Sequence, residues 1–200
     1  MLNAWCDDPV AEMRASQAAA RKAVQNDETD AASHVALGLS AIFLRQAEDS
    51  LAHFDTALGI NPNMASAHGC RAATLGCMGL CDAAIASFEE AITRSPRDHL
   101  RLFWMAGLGA GFLSEGRYKE ALDNVRAMMR IEPEYGPAHR QLCSALALDG
   151  QIDAARQAMV KLREIMPDLT VSQVGKMVPM IKPEANERWL NGLRLAGLPE

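Results

Sequence analysis

Apolar residues recur along this chain at helical spacing, and four prolines divide the recurrence into units. Pro62, Pro96, Pro133 and Pro167 each follow the end of a helical pattern and stand 34, 37 and 34 residues apart. Five positions before each proline are Ala57, Ala91, Met128 and Leu162, and eight before are Phe54, Phe88, Val125 and Met159. Twelve before are Ser50, Ala84, Ala121 and Ala155. These columns lie three and four residues apart, on one face of a helix. Seventeen before the prolines stand Arg45, Gly79, Gly116 and Gly150, a column suited to the positive φ that ends a helix. Twenty-four before are Gly38, Ala72, Gly109 and Cys143, all small. The repeated unit reads as helix, tight turn, helix, proline-marked turn.

This register resembles the tetratricopeptide repeat (TPR), a 34-residue antiparallel helix pair. The resemblance implies an all-α fold: a right-handed superhelix of stacked antiparallel helix pairs with a C-terminal capping helix. Residues 1–169 form the array, with a partial repeat at 12–30 and full repeats at 31–64, 65–98, 102–135 and 136–169. Residues 170–200 form a capping segment of the same domain. The family's aromatic at the fourth repeat position is replaced by His34, His68, Met105 and His139, although Trp104 is adjacent in the third unit. Beyond 169 the period stops. Ser172 to Met177 predicts a short helix, Val178-Pro-Met-Ile-Lys-Pro a break, and Pro183 the start of a last helix capped by Gly197. Trp189 and Leu193 are the residues expected to pack on the fourth repeat, since a terminal repeat exposes an apolar face.

The segments Phe103-Trp-Met-Ala-Gly-Leu, Gly116-Arg-Tyr-Lys-Glu-Ala-Leu and the ending from Glu187 to Glu200 are similar to the C-terminal TPR region of proteobacterial signalling proteins. Those proteins carry a class III adenylate/guanylate cyclase domain or a winged-helix DNA-binding domain before the repeats. The resemblance implies a regulatory piece separated from its effector, with a protein or peptide partner or an effector domain in cis, and carries no cyclase activity with it.

Composition fits this picture. The chain has 200 residues, 34 of them alanine, and is 49% hydrophobic but only 5% aromatic. Alanine at that density favours closely packed helices, because it loses no side-chain entropy in a helix. A net charge of −5 without a basic run argues against a nucleic-acid partner. No apolar stretch is long enough to span a membrane, and the start Met-Leu-Asn-Ala-Trp-Cys-Asp-Asp lacks signal-peptide features. Five cysteines without framework spacing suit a reducing compartment, so a cytoplasmic location is expected.

The search for chemistry returns an expectation of no enzyme, no cofactor and no metal. His68, Cys70, Cys77 and Cys81 are the nearest approach to a zinc set. Their register makes them scaffold columns, and free cysteine commonly packs as a small hydrophobe. Gly107-Leu-Gly-Ala-Gly111 falls within a first helix, where small residues permit close packing. Nucleophile elbows, Walker loops and His-Glu-x-x-His motifs are absent from the sequence.

The resemblance places binding on the groove lined by first helices. Its candidates here are Val35, Leu39, Ile42, Phe43, Ala73, Cys77, Phe103, Ala106, Leu113, Arg140 and Ser144. This surface is apolar and small, without the Lys/Asn pattern by which chaperone-binding TPR domains grip a terminal carboxylate: the matching positions hold Val35, Leu39, Gly69 and Ala73. The expected function is binding of an apolar peptide or partner-domain segment. The alternative is a structural spacer or homodimerisation scaffold attached to a cyclase or DNA-binding effector domain, with the groove closed by tight curvature at Gly69, Ala73 and Gly76 or occupied by a missing N-terminal portion, the C-terminal tail or a two-fold mate.

Overall fold

In the computed structural model, which describes residues 9–200, helix follows helix and no strand forms among the described residues. The helices are α1 (Pro9–Asn26), α2 (Ala31–Phe43), α3 (Ala47–Ile60), α4 (Ala65–Cys77), α5 (Cys81–Arg94), α6 (Arg101–Glu115), α7 (Tyr118–Ile131), α8 (Gly136–Leu148), α9 (Ile152–Ile165), α10 (Val171–Met177) and α11 (Pro183–Ala196). The Met1–Asp8 start, with Cys6, lies outside the described residues.

Local chemistry sets the helix ends. Asp30 caps α2, its carboxylate accepting from the Ala32 and Ser33 amides. Thr170 and Gln173 form a reciprocal capping box on α10. Pro183 occupies the first turn of α11, and Gly197 ends it with φ of 99°. At the tight turn inside each pair, Gly79, Gly116 and Gly150 take φ of 69°, 76° and 83°. Arg45, the odd member of that column, adopts the same left-handed state at 61°. The turn is therefore dictated by the repeat, and arginine tolerates it at a cost glycine would not bear. Such short connections make the joined helices antiparallel neighbours.

The described residues fall into two compact units. The first holds those up to Thr74 together with Asp82–Trp104; the second holds Leu75–Cys81 and Met105–Glu200. In the first unit, α1 packs on α2 and α2 on α3. Phe54, Ala57, Cys70, Ala91 and Trp104 join one apolar core with Val35 and Ala67. A methyl at Gly38 would lie within 2.9 Å of the Phe54 ring, and one at Gly69 would overlap the Trp104 indole. The glycines thus seat the two largest side chains of this core. Ser50 replaces the column's alanine without leaving a buried orphan: its hydroxyl donates to the Gly38 carbonyl at 2.8 Å and meets the Thr74 hydroxyl at 3.2 Å.

In the second unit, Ala121, Val125 and Met128 from α7 and Ala155, Met159 and Leu162 from α9 are buried on the expected columns. Within α6, the backbone around Gly107 and Gly111 lies so close to Gly76 that side chains at Gly76 or Gly111 would strike main-chain atoms. That close approach accounts for the glycine-rich run. After α9 the chain turns back: α11 packs mainly on α8 and to a smaller extent on α9, with Trp189 and Leu193 buried.

Candidate functional site

First-helix residues form the candidate site, and each unit presents its own set. In the first unit, Val35, Ile42 and Ala73 are buried, whereas Leu39, Phe43 and Phe103 stay partly exposed. The Phe43 and Phe103 rings lie 6.0 Å apart between centroids and are tilted by 32°. Tilted aromatic pairs of this separation are mutually favourable. Leu39 and Phe103 pack inward against the core of the first unit, and part of each, as of Phe43, stays exposed.

In the second unit the chain's own C-terminal segment lies over the candidates. The Ile181 amide donates to the Cys77 carbonyl at 3.1 Å, where α4 ends. The Ser144 hydroxyl donates to the Trp189 carbonyl at 2.9 Å, and the Arg188 guanidinium donates to the Ser114 carbonyl. Arg140 directs Nη1 toward the Met177 thioether at 3.4 Å. Cys77, Leu113, Arg140 and Ser144 are accordingly buried, and Ala106 is partly buried. Gly192 permits this seating, because a side-chain carbon there would meet the Ser144 hydroxyl, its carbonyl at 2.9 Å and Leu148 Cγ at 3.0 Å.

Part of this cover, Val178-Pro-Met-Ile-Lys-Pro between α10 and α11, reads in sequence only as a break between helices. Its apolar content was the available signal. Two prolines in six residues bar a regular helix, yet Val178 and Met180 are almost fully buried. An apolar stretch that cannot form its own amphipathic element must bury itself on another, and here it does so across first helices. The Val171 amide closes the tail on itself by donating to the Pro199 carbonyl at 2.8 Å.

The fourth-position histidines have a common structural job. The ring Nε2 of His34, His68 and His139 donates to the main-chain carbonyl six residues earlier: Glu28 at 3.2 Å, Pro62 at 3.0 Å and Pro133 at 2.7 Å. Each imidazole thereby pins the inter-repeat turn to the helix after it, replacing the aromatic packing of the family pattern by a hydrogen bond. With its Nε2 proton so used, His34 accepts through Nδ1 from His53 Nδ1 at 3.3 Å. Burial, and then the His34 ring, lower the His53 pKa.

The thiols are packing groups. Cys70, Cys77, Cys81 and Cys143 are buried. Burial pushes the Cys70 and Cys143 thiols up to about 12. Among the described residues no group of three or more His, Cys, Asp or Glu side chains is arranged to hold a metal ion. Glu89 and Glu90 are exposed, as are Arg126 and Arg130. Arg126 pairs with Asp123 one turn away at 2.8 Å, an ordinary solvated helix-face contact.

Paired helices with repeat-spaced turns, small residues at the close approaches and a buried column on each second helix define an all-α helical-repeat fold of the TPR type. Residues 112–174 match the tetratricopeptide repeat family model. The crystal structure of PilW, a widely conserved type IV pilus biogenesis factor, is similar with a TM-score of 0.72 at 17% identity, over 93% of this chain and 82% of that one. MamA is similar with a TM-score of 0.61 at 17% identity, over 78% and 90% of the two chains. YrrB, a TPR protein with an unusual peptide-binding site, gives 0.55 at 21% identity, over 89% and 90%. In sequence, a surface lipoprotein assembly modifier of Moraxella catarrhalis is 31% identical over 105 residues, which is 50% of this chain. The chain spans 20% of the length of that curated relative. Among the described residues no helix is long and apolar enough to cross a membrane.

Proposed function

We propose that the protein is a non-catalytic protein–protein interaction module that binds an apolar segment of a partner through the first-helix surface of its first unit. The observation that carries this reading is the partly exposed Leu39, Phe43 and Phe103 patch, with its paired rings. Burying a fully exposed ring contributes about 1.5–3 kcal/mol; each of these rings is already partly buried, so a partner gains only a fraction of that per ring, less the cost of its ordering. A peptide-binding site in YrrB, a pilus biogenesis factor in PilW and a lipoprotein assembly modifier in the Moraxella protein agree with an interaction role. A cytoplasmic location belongs to the same reading, supported by five cysteines without framework spacing.

The test is a displayed random-peptide library selected on the intact protein and retested on Leu39→Asp, Phe103→Asp and on the milder Phe43→Ala. Circular dichroism checks that each variant is folded. Selected peptides should be rich in aliphatic and aromatic residues and lose at least about tenfold in affinity on a folded variant, roughly 1.4 kcal/mol. Peptides that bind all forms equally would refute the site.

A second reading is a spacer or homodimerisation scaffold attached to a cyclase or DNA-binding effector domain. The tail lying over Cys77, Arg140 and Ser144 favours it, since a groove filled in cis is closed to partners. Light scattering separates the readings: a concentration-dependent dimer unaffected by Phe43→Ala supports the scaffold.

A further inference from the structure

Arg140 is only 8% exposed, yet no carboxylate among the described residues pairs with its guanidinium. Nη1 meets a thioether, the Met177 Sδ at 3.4 Å, and Nε has no partner. The neighbouring Tyr135 phenol is no substitute, because burial pushes its pKa up and keeps it neutral. Burial in turn lowers the Arg140 pKa to about 10. A buried guanidinium without an anion is costly, and a sulfur is a weak acceptor for it.

The cover is suited to being exchanged. Met177 is the last residue of a seven-residue helix, is only partly buried and has an unbranched side chain that adopts other rotamers readily. The covering tail also leaves polar atoms of its own unsatisfied, Trp189 Nε1 and Asn186 Oδ1. The chain passes over α8 rather than ending there, so Arg140 is approached by a side chain of a through-running segment. Glutamate has the reach of methionine to the δ position, and its carboxylate is the group a guanidinium recognises through paired N–H donors.

We propose that Arg140 is a recognition point for a glutamate side chain of a partner peptide, seated where the Met177 thioether now lies, with the C-terminal segment as the resident occupant. This extends the interaction-module reading to the second unit and depends on it only in assuming a peptide partner.

The test has two arms, both on the full chain. In cis, Met177→Glu is compared with the neutral, equally shaped Met177→Gln, each alone and with Arg140→Met, by urea unfolding at low salt. Met177→Glu should have an unfolding constant at least fivefold smaller than Met177→Gln, and Arg140→Met should remove the difference. In trans, end-blocked peptides of residues 171–182 carrying M177E or M177Q are titrated by fluorescence anisotropy. The M177E peptide should bind at least tenfold tighter, with the preference lost on Arg140→Met. A Met177→Glu chain no more stable than Met177→Gln overturns the proposal. Equal peptide affinities, or no binding by either peptide, overturn it as well. Either failure leaves the first-unit reading standing, because its test uses Leu39, Phe43 and Phe103.

Discussion

Gly192 should be a place where adding a methyl group harms a helix. In an unencumbered helix, replacing glycine by alanine stabilises by about 1 kcal/mol through backbone entropy. At Gly192 in α11 the new carbon would meet the Ser144 hydroxyl, the Ser144 carbonyl at 2.9 Å and Leu148 Cγ at 3.0 Å. Two of those atoms belong to the main chain or to a branch carbon of α8, so a rotamer change does not clear them. The same methyl would intrude on the hydrogen bond from Ser144 to the Trp189 carbonyl. Overpacking costs about 1–3 kcal/mol, and the lost bond about 1 more. After the propensity gain is subtracted, Gly192→Ala should destabilise by about 1–3 kcal/mol, a fall in Tm of roughly 2–12 °C for a chain of this size. The control is Gly59→Ala in α3, where an added carbon meets nothing within 4 Å. It should raise stability by up to about 1 kcal/mol. Thermal and urea unfolding followed by circular dichroism measure both. If Gly192→Ala matched Gly59→Ala, the tail would not lie against α8 as described.

Three further outcomes are expected. Arg45→Gly should stabilise by up to about 1 kcal/mol in urea unfolding, since arginine holds a φ of 61° that glycine adopts freely; a loss of stability would mean that the arginine's contacts outweigh that strain. The His53 pKa is lowered by burial first, then by His34, with Arg21 lowering and Asp49 raising it. The unfolded chain therefore binds more protons between the folded value and about 6.5, and stability falls as pH drops through that window. His53→Gln should flatten the dependence of Tm on pH below 7, and an unchanged slope would assign it to other groups. Cys70 and Cys143, with pKa pushed up to about 12, should resist iodoacetamide at pH 8 in the native protein and react once urea unfolds it, as read by peptide mass spectrometry; rapid native labelling would contradict their burial.

Much of the scaffold is legible in the sequence because repeat geometry imposes strict local demands. Pro62, Pro96, Pro133 and Pro167 each fall two residues beyond the ends of α3, α5, α7 and α9. The turn column is legible even at Arg45, where the residue type argues against the conformation and only the register argues for it. Pro183 and Gly197 bracket the last helix for stereochemical reasons that need no tertiary contact. The site is less legible. Register projects Cys77, Arg140 and Ser144 onto an inner surface, but it carries no information on what lies over that surface. The path of Val178 to Lys182 depends on main-chain partners far away in sequence, such as the Cys77 carbonyl, and any segment can use those. The histidine column was visible as a column. Its bond to the turn carbonyl was not, because a carbonyl six residues back leaves no side-chain signature.

The central claim is that the C-terminal segment lies across the first helices of the second unit, and hydrogen exchange at the Ile181 amide tests it most directly. That amide sits in an irregular stretch between two prolines, so its protection comes from the Cys77 carbonyl 3.1 Å away and not from a helix of its own. Exchange slowed to the range of the α8 amides is the expected result. Exchange at the rate of an unstructured peptide would contradict the placement of the tail.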